Sequence, residues 1–331
     1  MKSLVSKFFA LLICTFTLSA GVAFAQLNSQ LEEKNLPVGE FNIVSASGNF
    51  EVTVDKGSYG VRITTDQVLA PYVQVYVRSR TLYISYDEKS VPKDIKKQFK
   101  GRKTPDPVFR AVVFVPELNG VLLSDNATLM GTQEFAGSSV SINLSDKAQI
   151  KNLALNCKNV TVNMKKNTLA ALTLNADDKI DLFTDGNASL KVTVRTHDLV
   201  LAAEGSSQVA ITGDTRGKST LNLSGSTKTS ATLRAPRVTL QAAGSSELVL
   251  NGDAQNLSVF AERNSEVDAS GFQVRKAEAS LQGSARVNVN VQDELSVSAV
   301  GGSALYYRGT PVIKVGKVVK STLAPFGSSN K

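Results

Sequence analysis

Paired carboxylates, a lone histidine and several cations recur about ten residues out of step with a string of glycines: Asp177-Asp178-Lys179, Arg195-Thr196-His197-Asp198 and Arg216-Gly217-Lys218. Neighbouring carboxylates beside a base can hold calcium or share a proton, which is what a polysaccharide lyase or hydrolase needs. Asp177, Asp178 and His197 are therefore the candidate catalytic set, with acidic polysaccharide as the substrate class. The competing reading is a corner that carries charge because water is there. Arg237, Arg275-Lys276 and Asp293-Glu294 continue the series without clustering, which favours the solvated corner. The sequence has no Gly-x-x-x-x-Gly-Lys-Ser/Thr loop, no His-Glu-x-x-His and no metal-spaced cysteine pair. No metal, cofactor or nucleotide is expected on that ground. The Gly-Ser-Ser sites lack the strand-to-helix turn and histidine partner of a nucleophile elbow.

A repeat must position these residues. Gly205-Ser206-Ser207, Gly225-Ser226-Thr227, Gly244-Ser245-Ser246, Gly283-Ser284-Ala285 and Gly301-Gly302-Ser303 return at roughly 20-residue steps, inside the range of stacked repeats. Alternating apolar residues enter each turn, as at Leu221 and Leu223, and leave it, as at Leu248 and Leu250. Two short strands around a tight corner follow from that pattern. The phase continues where glycine is missing, through Asp125-Asn126, Asp146-Lys147, Lys166-Asn167, Gly186-Asn187 and Arg263-Asn264-Ser265. Asn and Asp tolerate left-handed backbone, so they can stand in for glycine there. With no helical spacing of apolar residues, helical arrays are excluded, and constant phase argues against an antiparallel sandwich or barrel. The expected fold is all-β, a parallel β-helix (solenoid) of about ten coils. Ala176, Ala242, Ala261 and Ala279 suit its narrow interior.

The chain opens with a leader: Lys2 and Lys7, an apolar stretch over residues 8–22, and Ala23-Phe24-Ala25, predicting cleavage after Ala25. The stretch is too short and wrongly flanked for a membrane anchor, so no transmembrane segment is expected after cleavage. Cys14 follows a bulky Ile13 and comes too early for a lipoprotein cysteine. Only Cys157 then remains, within an alternating run, and it reads as a buried inert thiol. Net charge falls from +8 to +6 when Lys2 and Lys7 leave. Much of the surplus lies in a loop over 89–107 with Lys93, Lys96, Lys97, Lys100, Arg102 and Lys103. Such a loop attracts acidic polysaccharide or anionic lipid head groups, or is simply solvated; it lacks the interleaved aromatics of nucleic-acid binding.

Ahead of that loop, residues 39–88 alternate well between irregular turns and read as an N-terminal β cap, which a solenoid needs to cover its open edge. Residues 1–25 are the signal peptide, 26–38 a linker, 108–311 the regular coils and 312–331 a polar C-terminal tail. Phe114-Val115-Pro116-Glu117-Leu118-Asn119-Gly120-Val121, the serial Leu-x-Leu-Ser-Gly-Ser corners and Val300-Gly301-Gly302-Ser303-Ala304-Leu305-Tyr306-Tyr307-Arg308-Gly309-Thr310-Pro311 resemble the auto-transporter adhesin head GIN family, once a domain of unknown function. The resemblance covers about residues 39–311 and implies a right-handed parallel β-helix in an exported bacterial protein. It brings no catalytic or ligand-binding residues. The last residues, polar in character, are not the aromatic-girdled strands of an autotransporter barrel. The expectation is thus a non-catalytic, adhesin-like protein of the periplasm, with the cell surface or medium as alternatives. It would bind an envelope or extracellular glycan or protein through regularly spaced polar groups such as Thr220, Asn222, Ser258, Ser280, Ser296 and Ser298. Self-association into a homo-oligomer stays open, since solenoid flanks and ends often pair.

Overall fold

The computed structural model describes residues 30–101, 104 and 106–327. Cys14, the cleavage site at Ala25, and Arg102 and Lys103 lie outside the described residues.

Period-two alternation sends every second side chain inward, and each coil does this twice, once per leg. In the coil over 169–186, Ala170, Leu172, Leu174 and Ala176 are buried on the first leg, and Ile180, Leu182 and Thr184 on the second. Each leg hydrogen-bonds in parallel to the same leg of the coils before and after. Leu174 is in register with Leu155 and Val194, and Leu182 with Val162 and Leu201. The result is a β-solenoid of about ten turns. Its stacked inward columns form one continuous apolar core, in which Ala176, Ala242, Ala261 and Ala279 are all buried.

The corner leading into each first leg is the most regular element. Asp125, Asp146, Lys166, Gly186, Gly205, Gly225, Gly244, Arg263, Gly283 and Gly301 all take left-handed backbone, with φ between 57° and 90°. At most corners the residue that follows donates its N–H to the carbonyl of the corner one coil back. Ser206 binds Gly186, Ser226 binds Gly205 and Ser245 binds Gly225, each at 2.7 Å. All corners read from the sequence therefore lie in one column. The residue two places on turns inward: Ser207, Thr227, Ser246, Ser265 and Ser303 are fully or almost fully buried. Gly-Ser-Ser thus combines a left-handed hinge, an exposed donor and a small residue that fits the inner bend.

The two ends depart from the sequence reading. Six strands precede the basic loop: β1 (Leu31–Leu36), β2 (Ile43–Ala46), β3 (Glu51–Lys56), β4 (Gly60–Asp66), β5 (Val73–Arg78) and β6 (Thr81–Tyr86). After α1 (Lys93–Gln98) within the loop come β7 (Phe109–Val115), β8 (Gly120–Leu123) and β9 (Thr128–Leu144). β2 lies parallel between β6 and β8, and β3 parallel between β7 and β9. Gly48 joins them with φ 80°, and its carbonyl accepts the Asn126 N–H at 3.0 Å. Residues 43–56 are therefore a coil rather than part of the cap. The capping role falls to the antiparallel strands β1 and β4 over one leg and β5 over the other. The expected linker over 26–38 includes β1, whose Glu32, Glu33 and Lys34 keep the outermost edge charged.

The C-terminal tail is likewise corrected. Val312–Val319 pairs parallel with residues 294–300, and Thr322–Pro325 with residues 304–307. They add another coil, turned at Lys320 with φ 53°. Lys314 and Lys317 point outward and give the segment its polar look, while Val318 and Leu323 pack against the core. Cys157 is buried, and that desolvation pushes its thiol up to about 11, which leaves it protonated and inert.

Asp268 provides a test of how the coils respond to acid. Burial alone would push its carboxyl up. Hydrogen bonds from the Ser270 hydroxyl and N–H, with Asn288 and the charge of Arg308 adding to them, hold it below the ordinary value of 3.8. Because the folded-state value is depressed, the stability it adds is present above 3.8 and is lost as pH falls through the folded-state value. The melting temperature should drop between pH 7 and pH 3 in the parent protein, and less in Asp268→Asn. Equal drops would remove Asp268 from the account.

Candidate binding surface

The second corner, between the two legs of a coil, carries the residues that suggested acid–base chemistry. Lys179 and Asp198 are in register on successive coils, so Asp177-Asp178 and His197 stack as the spacing required. Most of their contacts run from coil to coil. His197 Nδ1 lies 3.2 Å from Asp198 Oδ1, and the same oxygen accepts the Lys218 N–H at 2.7 Å. Asp178 faces Lys158 at 3.7 Å, and Arg216 donates to the Asp177 carbonyl at 2.9 Å. The His197 and Asp178 side chains are 56% and 54% exposed. What this geometry can do is fasten one corner to the next in open water. Among the described residues no group of three or more His, Cys, Asp or Glu side chains could hold a metal ion.

The basic loop has a structural reason for its place. It connects β6 on a second leg to β7 on a first leg, one layer beyond Gly48, and so fills the position of a corner. Where other coils turn within a few residues, this layer uses a long excursion bearing α1. Lys96 and Lys100 line a cleft of about 510 Å³ with Tyr86, Phe99, Glu88 and Asn126. Lys93 and Lys97 are exposed and outside that lining. The sequence reading found the cations but missed the cleft. Its signal was the pair Ile95 and Phe99, one helical turn apart and both packed against the core.

The outer face of the second legs is an extended surface that runs coil after coil. Thr220, Thr239 and Ser258 are in register on successive coils, and that column reaches Ser296 through Glu278. The column two residues on runs Asn222, Gln241, Phe260, Ser280 and Ser298. All six polar residues singled out in the sequence thus occupy two adjacent columns of one face. Neighbouring coils sit about 4.8 Å apart, which sets the repeat of these groups. Side-chain amides link some rungs directly, as where Asn163 donates to Asn143 at 3.0 Å. The first-leg face is laced by Arg234–Asp253 at 3.2 Å and Lys228–Glu247 at 3.3 Å, and the second legs carry Lys179–Asp181 at 2.8 Å and Lys314–Glu294 at 2.9 Å. These exposed pairs add little stability.

Comparison with known proteins gives a family and a set of folds. A family model described as putative auto-transporter adhesin, head GIN domain, matches residues 40–178 and again 170–311. No curated protein matches. Among solved structures, a putative adhesin from Parabacteroides merdae is similar at 18% identity over 90% of this chain and 97% of its own, with a TM-score of 0.38. A putative adhesin from Parabacteroides distasonis shows 18% identity, 90% and 98% coverage and a TM-score of 0.38. A putative lipid binding protein from the same species shows 16%, 90%, 97% and 0.37.

Proposed function

The chain belongs to the auto-transporter adhesin head GIN family, and from that premise we propose that it is an exported, non-catalytic interaction protein of the bacterial envelope, binding glycan or protein by many weak contacts. One observation carries this reading: polar groups repeat coil after coil on a flat second-leg face, with Thr220, Asn222, Ser258, Ser280, Ser296 and Ser298 in two neighbouring columns. A surface of this kind gains affinity from repetition, since each further contact is made at high effective concentration. Entry to the envelope is assigned to the leader ending at Ala25. Among the described residues no helix is long and apolar enough to cross a membrane.

The test is binding of the mature protein to envelope glycans and envelope proteins immobilised at graded density. Apparent affinity should climb steeply with ligand density, by roughly a hundredfold from sparse to dense. Density-independent binding would point to a single pocket instead. The enzymatic alternative is checked on acidic polysaccharides: no product should form, and turnover that Asp178→Ala abolishes would overturn the non-catalytic reading.

A further inference from the structure

Adding the registers coil by coil reveals an alignment that no single repeat shows. Tyr83 pairs with Ser45, which is followed in the same column by Leu122, Asn143, Asn163, Phe183, Ala202, Asn222, Gln241, Phe260, Ser280 and Ser298. Tyr76 lies beside Tyr83 across the cap hairpin, with the rings stacked at 5.1 Å and 17°. Phe183 and Phe260 are 40% and 38% exposed, and Tyr76 is 48% exposed. An outward phenylalanine sacrifices favourable burial, yet two of them stand in one line with a tyrosine pair. At about 4.8 Å per coil, Phe183 is about 24 Å from Tyr83, and Phe260 is about 19 Å further on. Between Tyr83 and Phe183 the face dips into a cleft of about 300 Å³ lined in part by Ser45, Leu122, Asn143 and Asn163.

Charge decides which ligand fits. The column carries no charged residue from Tyr83 to Ser298, so its own contacts are aromatic rings, amides and hydroxyls. Charges beside the rings are offset: Asp181 is paired with Lys179 at 2.8 Å, and Asp185 is in register with Lys165, which also lines the cleft. Beyond Ser298 the next coil places Lys317, so the cations near the column are scattered and form no continuous row for a polyanion such as a uronate chain, nucleic acid or an anionic lipid surface to pair with. An uncharged chain of sugars needs no such row. Its apolar ring faces can pack on Phe and Tyr, and its hydroxyls can donate to carboxylates and amide oxygens.

We propose that this column is a rail for a neutral polysaccharide lying along the solenoid axis, with Tyr76 and Tyr83, Phe183, and Phe260 as three successive platforms. The inference rests on the interaction role proposed above and names the ligand of its second-leg face. Soluble uncharged polysaccharides, such as glucans and mannans, are to be titrated against the whole mature protein, with alginate and hyaluronate as acidic comparators and a basic peptide as the non-sugar arm. At least one neutral polymer should bind. Phe183→Ala with Phe260→Ala should weaken it by about tenfold per ring, and roughly a hundredfold for the pair, because sites this far apart act independently. Phe183→Tyr with Phe260→Tyr should retain binding, and Val249→Ala on the first-leg face should leave it unchanged. The alanine variants remove exposed rings, and an unaltered melting temperature verifies that they are folded. Neutral-polymer binding that ignores the ring pair would overturn the rail while leaving the interaction role standing. So would preference for the acidic polymers or the basic peptide. Failure to bind any envelope glycan or protein overturns both.

Discussion

Gly225→Val should lower the stability of the solenoid by about 3 kcal/mol. Two effects add: left-handed backbone is unfavourable by roughly 1–2 kcal/mol for a residue with a Cβ, and overfilling a close contact adds about 1–3 kcal/mol. Both operate at Gly225, where φ is 80° and an added Cβ would stand 2.5 Å from the Gly205 carbonyl oxygen. That oxygen already accepts the Ser226 N–H, so the clash would press on the hydrogen bond that sets coil spacing. A β-branched residue makes the left-handed conformation harder still. Gly302 is the matched control in the same motif. It has no positive φ, and its nearest neighbours to an added Cβ lie at 3.7 and 3.8 Å. Gly302→Ala should be neutral or slightly stabilising by reducing the freedom of the unfolded chain. Denaturant titration of the two variants reads this directly, and a Gly225→Val midpoint equal to that of Gly302→Ala would sink the corner argument.

The contrast between these two glycines also explains what was legible in the sequence. A corner that needs left-handed backbone must hold Gly, Asn, Asp or a residue under strain, so it leaves a mark in composition. At Lys166-Asn167 and Arg263-Asn264 phase located the corner and the asparagine was the expected stand-in for glycine, but the left-handed residues are Lys166 and Arg263, with φ of 65° and 62°. Gly48 escaped because its partner corner, Asp125, is 77 residues away, and the excursion through the cap breaks the 20-residue step. Lys320 escaped because outward lysines hid the alternation of Val318 and Leu323. A further break is visible at Val267 and Ala269, followed by Phe272 and Val274: the inward phase moves from odd to even, and the ladder to the coil before shifts register between Val249 and Asn251. The candidate surface was legible only in part. Alternation marks a residue as outward, but which outward residues share a column depends on the sum of every coil length between them. Phe183 and Phe260 are also 77 residues apart, and coils of 19 and 20 residues accumulate offsets that a fixed period does not follow. The charged corners offered a catalytic reading beside the favoured solvated one, because a carboxylate beside a histidine serves either purpose, and the contacts they make are exposed ones such as Asp178 with Lys158.

Leu233→Ala should be among the most damaging substitutions in the coils, at about 4 kcal/mol, near the top of the 2–5 kcal/mol range for this change. The reason is its column. Leu233 is 1% exposed, and its partners in the coils before and after are Gly213 and Gly252. Neither glycine brings a side chain to the space, so one leucine fills what three residues fill elsewhere. Removing it leaves a void that its column neighbours cannot close, and the penalty for a void grows with its residual volume. Leu240 is the comparison: it is equally buried, but its partners are Leu221 and Val259, whose side chains can lean into the gap. Leu240→Ala should therefore fall lower in the range, near 2–3 kcal/mol. A solenoid adds a second consequence, because each coil is stabilised chiefly by its neighbours. A weak coil in the middle can uncouple the two halves, so Leu233→Ala should broaden the unfolding transition or split it, whereas the parent unfolds more sharply. Equal losses for the two leucines, with unchanged transition widths, would show that the glycines either side of Leu233 do not leave it to fill the column alone.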